Sequence, residues 1–188
     1  MPITIGKKPE SSFADPLGLL GDCHRRIERF LGLLITVTAD ARGGALSPEQ
    51  REALVAAGRY FREAAPKHIE DEERSLFPRM RDSHDAQARA ALATIKELEE
   101  DHVVVDRAHM EVDSLVERWM DEGALPASDA RRLVTVLEEL RTIYERHIAI
   151  EDHDVFPLAG RVLNQAAIAA LGREMAARRG LTPSDAWG

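Results

Sequence analysis

Two segments of this chain are near copies of one another. KHIEDEERSLFP at 67–78 aligns with RHIAIEDHDVFP at 146–157, an offset of 79 residues. The same offset lays Gly44-Ala45-Leu46 on Gly123-Ala124-Leu125 and Leu54-Val55 on Leu133-Val134, and His24 precedes His102 by 78. Duplication at a fixed period means two similar units in tandem, and each unit carries helical punctuation. Asp15-Pro16 reads as an N-cap followed by proline at the first helical position. Leu17, Leu20, His24, Ile27, Leu31 and Leu34 then step by three and four along one stripe to about Ala39. Gly43-Gly44 breaks that helix, and Ser47-Pro48-Glu49-Gln50 opens the next as a capping box. Leu54, Phe61, Ala65, His68, Glu72 and Leu76 lie on its stripe. Pro66 should kink it one turn before His68, and Phe77-Pro78 should end or bend it.

The second unit repeats the plan. A third helix is predicted over about 86–120, with Ile95, Leu98, His102, Val105, His109, Val112, Val116 and Trp119 in phase, before Gly123 and Pro126 interrupt. A fourth, from near Ser128 to Phe156-Pro157, carries Leu133, Leu137, Leu140, Tyr144, His147 and Glu151. A shorter fifth spans about Gln165 to Arg178 and is closed by Gly180. Turns this short force antiparallel neighbours, so the expected fold is all-α. It is an up-down-up-down four-helix bundle of two duplicated hairpins over 15–160, with a flexible N-terminal segment at 1–14 and a fifth helix and tail at 161–188.

Charge and composition exclude several roles. Asp and Glu outnumber Lys and Arg by 33 to 25, a formal net charge of −8, which disfavours nucleic acid as a partner because phosphate binding needs a concentrated basic surface. No run approaches the ~18 apolar residues of a membrane span. MPITIGKKPESSFADP lacks a secretory apolar core, so the expected location is cytoplasmic, and no attached receptor or regulatory domain is expected. A single cysteine, Cys23, precludes an intrachain disulfide.

Chemistry concentrates on the stripes. His24, His68, His102, His109 and His147 are each followed four residues later by an acid: Glu28, Glu72, Asp106, Asp113 and Glu151. Such pairs also occur as solvated helix pairs, but His24, His68, His102 and His147 all sit in core phase. Each lies about 20–24 residues from its turn, which at ~1.5 Å per residue puts four imidazoles in one layer. Glu72 and Glu151 lie one turn further along. Four inward histidines and two inward carboxylates are costly to bury unpaired. Two metal ions would remove that cost, each taking two imidazoles and sharing the carboxylates; iron, manganese and zinc all suit such donors. The alternative is a histidine core satisfied by hydrogen bonds.

His24, His68-Ile-Glu-Asp-Glu72 with its Leu-Phe-Pro, His102, and His147-Ile-Ala-Ile-Glu151 with its Val-Phe-Pro resemble the hemerythrin-like family of HHE cation-binding domains over roughly residues 15–160. The resemblance implies a non-haem diiron site with His24, His68, His102 and His147 as ligands. It also implies Glu72 and Glu151 as bridging ligands and an oxo, hydroxo or water bridge. Oxygen-carrying members have a fifth histidine four residues after the one on the third helix. Here that position is Asp106, and its counterpart in the first hairpin is Glu28, so two histidines per iron remain and room is left for small ligands.

Other residues read less sharply. His109, two turns beyond His102, suits a core or supporting role. Tyr144, one turn before His147, fits core packing better than a hydrogen bond into the site or an electron-donor role. Glu28 and Asp106 divide between weak ligand, acceptor for an imidazole N–H and surface pair. His84 and His153 fall off the stripes, and Cys23 fits a small buried residue better than a redox thiol. The leading expectation is binding or sensing of O2, NO or peroxide. A diiron oxidase or peroxidase and an iron-homeostasis protein are the alternatives. The fifth helix and acidic surface could support a homodimer or another partner; no pattern identifies a redox partner.

Overall fold

In a computed structural model that describes residues 11–181, every regular element is helical and no strand occurs among those residues. The tails at 1–10 and 182–188 lie outside the described residues. In chain order the helices are α1 (Pro16–Ala41), α2 (Pro48–Glu63), α3 (Ala65–Asp71), α4 (Phe77–Arg81), α5 (Ala86–Ala90), α6 (Leu92–Glu122), α7 (Ala127–Ile150), α8 (Phe156–Val162) and α9 (Gln165–Arg178). A π-helical turn, Glu72–Leu76, joins α3 to α4, and a second, Glu151–Val155, joins α7 to α8. α1 packs on α2 and α7, and α6 packs on α7 and α2. No helix of the described residues is long and apolar enough to cross a membrane.

The caps explain where the helices start and stop. Asp15 accepts from the Gly18 N–H, and Ser47 with Gln50 forms the capping box, satisfying N–H groups that have no partner inside a helix. Gly43 (φ +76°) turns the chain out of α1 where an added Cβ would stand 2.8 Å from the Ala130 Cβ, so only glycine fits. The two hairpin turns clasp each other: Leu125 N–H donates to Gly43 O at 2.8 Å, and the Trp119 indole N–H donates to Gly44 O at 2.8 Å.

Three local features differ from the sequence reading. The fourth helical stretch does not stop at Phe156-Pro157, nor does the second stop at Phe77-Pro78. In each case the preceding turn widens, so that the Phe77 N–H reaches Glu72 O and the Phe156 N–H reaches Glu151 O. Proline lacks an N–H and its ring crowds the carbonyl four residues back; the wider turn absorbs both effects and the helix resumes. The third stretch is divided at Ala91, whose N–H is shared between Gln87 O at 3.1 Å and Ala88 O at 3.2 Å. As expected, Pro66 interrupts the second stretch one turn before His68, with the break at Ala64 and a long His68 N–H to Ala64 O contact of 3.4 Å.

Two hydrophobic cores result. One, nearer the clasped turns, includes Ile27, Leu31, Leu54, Val105, Val112, Trp119, Leu137 and Ile148. The other, at the opposite end, includes Leu20, Leu76, Phe77, Ile95, Leu98, Val155 and Leu171. α9 closes this second end with fully buried Leu171 and Met175. Between the two cores runs a polar layer.

Candidate metal centre

That layer contains all six residues singled out from the sequence: His24 on α1, His68 on α3, Glu72 opening the first π turn, His102 on α6, His147 on α7, and Glu151 opening the second π turn. All six are buried, the two glutamates completely. The four-residue step from His68 to Glu72 and from His147 to Glu151 keeps both side chains of each pair on the inward face. π turns cluster at functional positions, and both occur here where the inward carboxylates begin.

The ligand-type atoms form two groups. One of His24, His68, Glu72 and Glu151 and one of Glu72, His102, His147 and Glu151 each gather within 4.8 Å, and the groups share both carboxylates. Across the layer, His24 Nε2 lies 3.0 Å from Glu151 Oε2 and 3.9 Å from Glu72 Oε1. His68 Nε2 is 3.2 Å from Glu72 Oε1, His102 Nε2 is 3.4 Å from Glu72 Oε2, and His147 Nε2 is 3.2 Å from Glu151 Oε2. Despite these distances, His24 Nε2, His102 Nε2 and all four carboxylate oxygens lack a hydrogen bond of acceptable geometry. Buried polar atoms are almost always paired. Lone pairs that converge without bonding one another fit a cation-holding donor set of imidazole and carboxylate, the chemistry suited to iron, manganese or zinc.

The outer nitrogens of three imidazoles have carboxylate partners that the sequence reading did not single out. His24 Nδ1 donates to Asp152 at 2.8 Å, His102 Nδ1 to Glu73 at 2.9 Å, and His147 Nδ1 to Asp101 at 3.3 Å. Each fixes the tautomer and turns Nε2 toward the centre of the layer. The repeat carries a signal for two of them: Glu73 and Asp152 occupy equivalent positions one residue after the inward glutamates. The partnership is exchanged between hairpins, each acid serving the other hairpin's first histidine. The Phe-Pro of each repeat follows the same rule. Phe77 stacks on His102 and Phe156 on His24, with ring centroids 6.4 and 5.3 Å apart.

Electrostatics describe the layer without a cation. Burial works against charge on His24, but Asp152, Glu151 and Glu72 outweigh it and raise its pKa to about 10. Glu72 and Glu73 do the same for His102. Burial and the nearby His24 push His68 down. Burial and the Glu151 charge raise Glu72 to about 7, whereas His147 and His24 hold Glu151 low against its burial. A cation held by these donors would displace protons, and its affinity would fall as pH falls.

The remaining sequence candidates stand outside the six. Glu28 is exposed, in a groove beside Arg141 and Glu145. Asp106 is exposed on the wall of a cleft of about 360 Å³ between α2 and α6. His84 is exposed in a loop, and exposed His153 donates to Ala149 O at 2.8 Å. Cys23 is buried, its Sγ 3.1 Å from the Arg26 guanidinium. Tyr144 joins the four histidines in lining a small chamber of about 10 Å³. Its hydroxyl is hydrogen-bonded to His109 Nε2 at 2.9 Å, and His109, stacked on Phe61 with centroids 4.0 Å apart, lines the cleft on the other side.

Burial lowers the His109 pKa to about 4. Because that is below the ordinary value near 6.5, its contribution to stability is present above pH 6.5 and is lost as pH falls through 4. Between pH 7 and pH 5 the wild-type chain should lose about 1–2 kcal/mol more urea-unfolding stability than His109→Phe. Parallel pH profiles would show that His109 ionises freely in the fold.

The family model described as the hemerythrin HHE cation binding domain matches residues 15–159. An uncharacterised protein of Haemophilus influenzae is 24% identical over 169 residues, covering 90% of this chain and 92% of its own length.

Proposed function

The chain belongs to the hemerythrin HHE cation-binding family, and from that premise we propose that its buried layer holds two iron ions and binds O2 or a related small ligand such as NO or peroxide. The observation that carries this reading is the pair of four-residue groups sharing both Glu72 and Glu151. His24 and His68 would hold one ion, His102 and His147 the other, and the two glutamates would bridge them. Bound iron supplies redox chemistry and Lewis acidity toward an oxygen- or nitrogen-containing ligand. The residues orient the donors, exclude bulk water and limit the size of what enters. A chamber of about 10 Å³, no more than a water-sized space, is walled by Ile27, Val105 and Ile148 and admits only a very small guest. Neighbouring residues separate it from the larger cleft: Ala65, Val105 and Tyr144 face the chamber, while Pro66, Asp106 and His109 face the cleft.

In this reading residues 15–160 form one up-down-up-down bundle, supported by the antiparallel clasp of the turns, with α9 as an appended fifth helix. The expected setting is the cytoplasm. The Tyr144–His109 hydrogen bond favours a second reading, catalytic removal of O2, NO or peroxide, since a phenol joined to a neutral imidazole can pass a proton across the chamber wall.

Anaerobic ferrous-loaded protein exposed to NO or O2 distinguishes the readings. Binding or sensing predicts a stoichiometric spectral change that reverses when the gas is removed. Sustained consumption beyond one equivalent with an added reductant would replace it with the enzymatic reading, and no spectral change would sink both.

A further inference from the structure

The two halves of the layer match in the support of their first histidines and differ in the support of their second. Asp152 on His24 and Glu73 on His102 are matched partners, at 2.8 and 2.9 Å. Asp101 on His147 has no such match. It immediately precedes His102, and the residue immediately preceding His24 is Cys23. Correspondingly, buried His68 Nδ1 has no hydrogen-bond partner, while His147 Nδ1 lies 3.3 Å from Asp101 Oδ2. Arg146 fixes Asp101 from the solvent side at 2.6 Å. The Cys23 thiol is already engaged by Arg26 at 3.1 Å, so it offers His68 no equivalent acceptor.

Resting on the dinuclear reading, we infer that the two metal positions are unequal, that the His102–His147 position fills first, and that Asp101 is the positioning residue that sets the order. A carboxylate on the outer N–H locks the imidazole in the tautomer that turns Nε2 inward, holds the ring in plane and raises the basicity of Nε2. His102 and His147 both have this support; of the other pair only His24 does. His68 must be oriented by the metal itself, so ring ordering is paid at binding. Loss of one such outer partner lowers metal affinity about 10–100-fold, and that is the expected gap between the positions. At limiting metal the protein therefore carries one divalent ion at His102–His147 and an open His24–His68 position.

The test is anaerobic titration of the metal-free full chain with ferrous iron, and with cobalt(II) as a visible probe. Two binding events separated by about 10–100-fold are expected. Anomalous scattering from a crystal given one equivalent of cobalt should place it between His102 and His147. Asp101→Asn should bring the tight event to within about threefold of the weak one, and Cys23→Asp should raise the weak one toward the tight. The wild-type crystal stands by itself if a variant fails to fold. Two events of equal affinity, or a first ion at His24–His68, would overturn the inference while leaving the dinuclear reading intact. A chain that takes up neither ion would overturn both.

Discussion

His68→Ala and His147→Ala together should leave a folded chain with almost no metal, whereas Glu72→Ala alone should cost both ions. Each histidine belongs to one four-residue group, so His68→Ala by itself should lower iron per chain from about two to about one. Glu72 and Glu151 belong to both groups, so removing either takes a donor from two positions at once. It also leaves imidazoles that otherwise face a buried carboxylate at 3.2 and 3.4 Å. Losing a direct ligand should exceed the ~10–100-fold penalty of losing an outer partner. Elemental analysis after ferrous loading reads metal per chain, and circular dichroism of the same samples separates metal loss from unfolding. A Glu72→Ala chain that retains one tightly held iron would show that the carboxylate is not shared.

The six inward residues were legible in the sequence, because the repeat places His68-x-x-x-Glu72 and His147-x-x-x-Glu151 at matching positions on core stripes, with His24 and His102 in core phase on the other two helices. Periodicity of 3.6 brings residues four apart onto one face, so the six inward residues follow from local rules. What local rules miss is contact between elements. Glu73, Asp101 and Asp152 look like solvated acids on exposed or half-exposed positions; packing of α6 and α1 against the opposite hairpin brings Glu73 to His102 and Asp152 to His24, and packing of α6 on α7 brings Asp101 to His147. The prolines misled for a related reason. Pro78 signals a helix end or bend and Pro157 a helix end, but a widened turn one step earlier satisfies the same steric demand and lets the helix run on. The π turns have no propensity signature of their own; the inward Glu72 and Glu151 occupy their first positions.

An interaction between residues more than 100 apart in sequence should be among the costliest to remove. Asp71 is fully buried, next to Glu72, and its two oxygens accept from Arg178, the last residue of α9, and from Arg179 just after it, at 2.7 Å each. Arg79 and Glu174 add a paired contact nearby, at 2.7 and 3.0 Å. Deleting one member of a buried ion cluster strands the rest and costs about 3–5 kcal/mol. The two guanidinium groups keep 17% and 22% of their side-chain exposure, so water compensates them in part and the lower end applies. Asp71→Ala should therefore lower the melting temperature of the metal-free chain by roughly 6–12 °C, at about 2–4 °C per kcal/mol for a chain of this size. Arg178→Ala should cost less, because Asp71 keeps Arg179. Release of α9 should also expose the bond after Arg178 to trypsin, so limited proteolysis provides a second reading of the same event. A shift below about 2 °C with unchanged proteolysis would mean that α9 is held by Leu171 and Met175 alone. In that case the charges would serve only to choose its register against the first π turn.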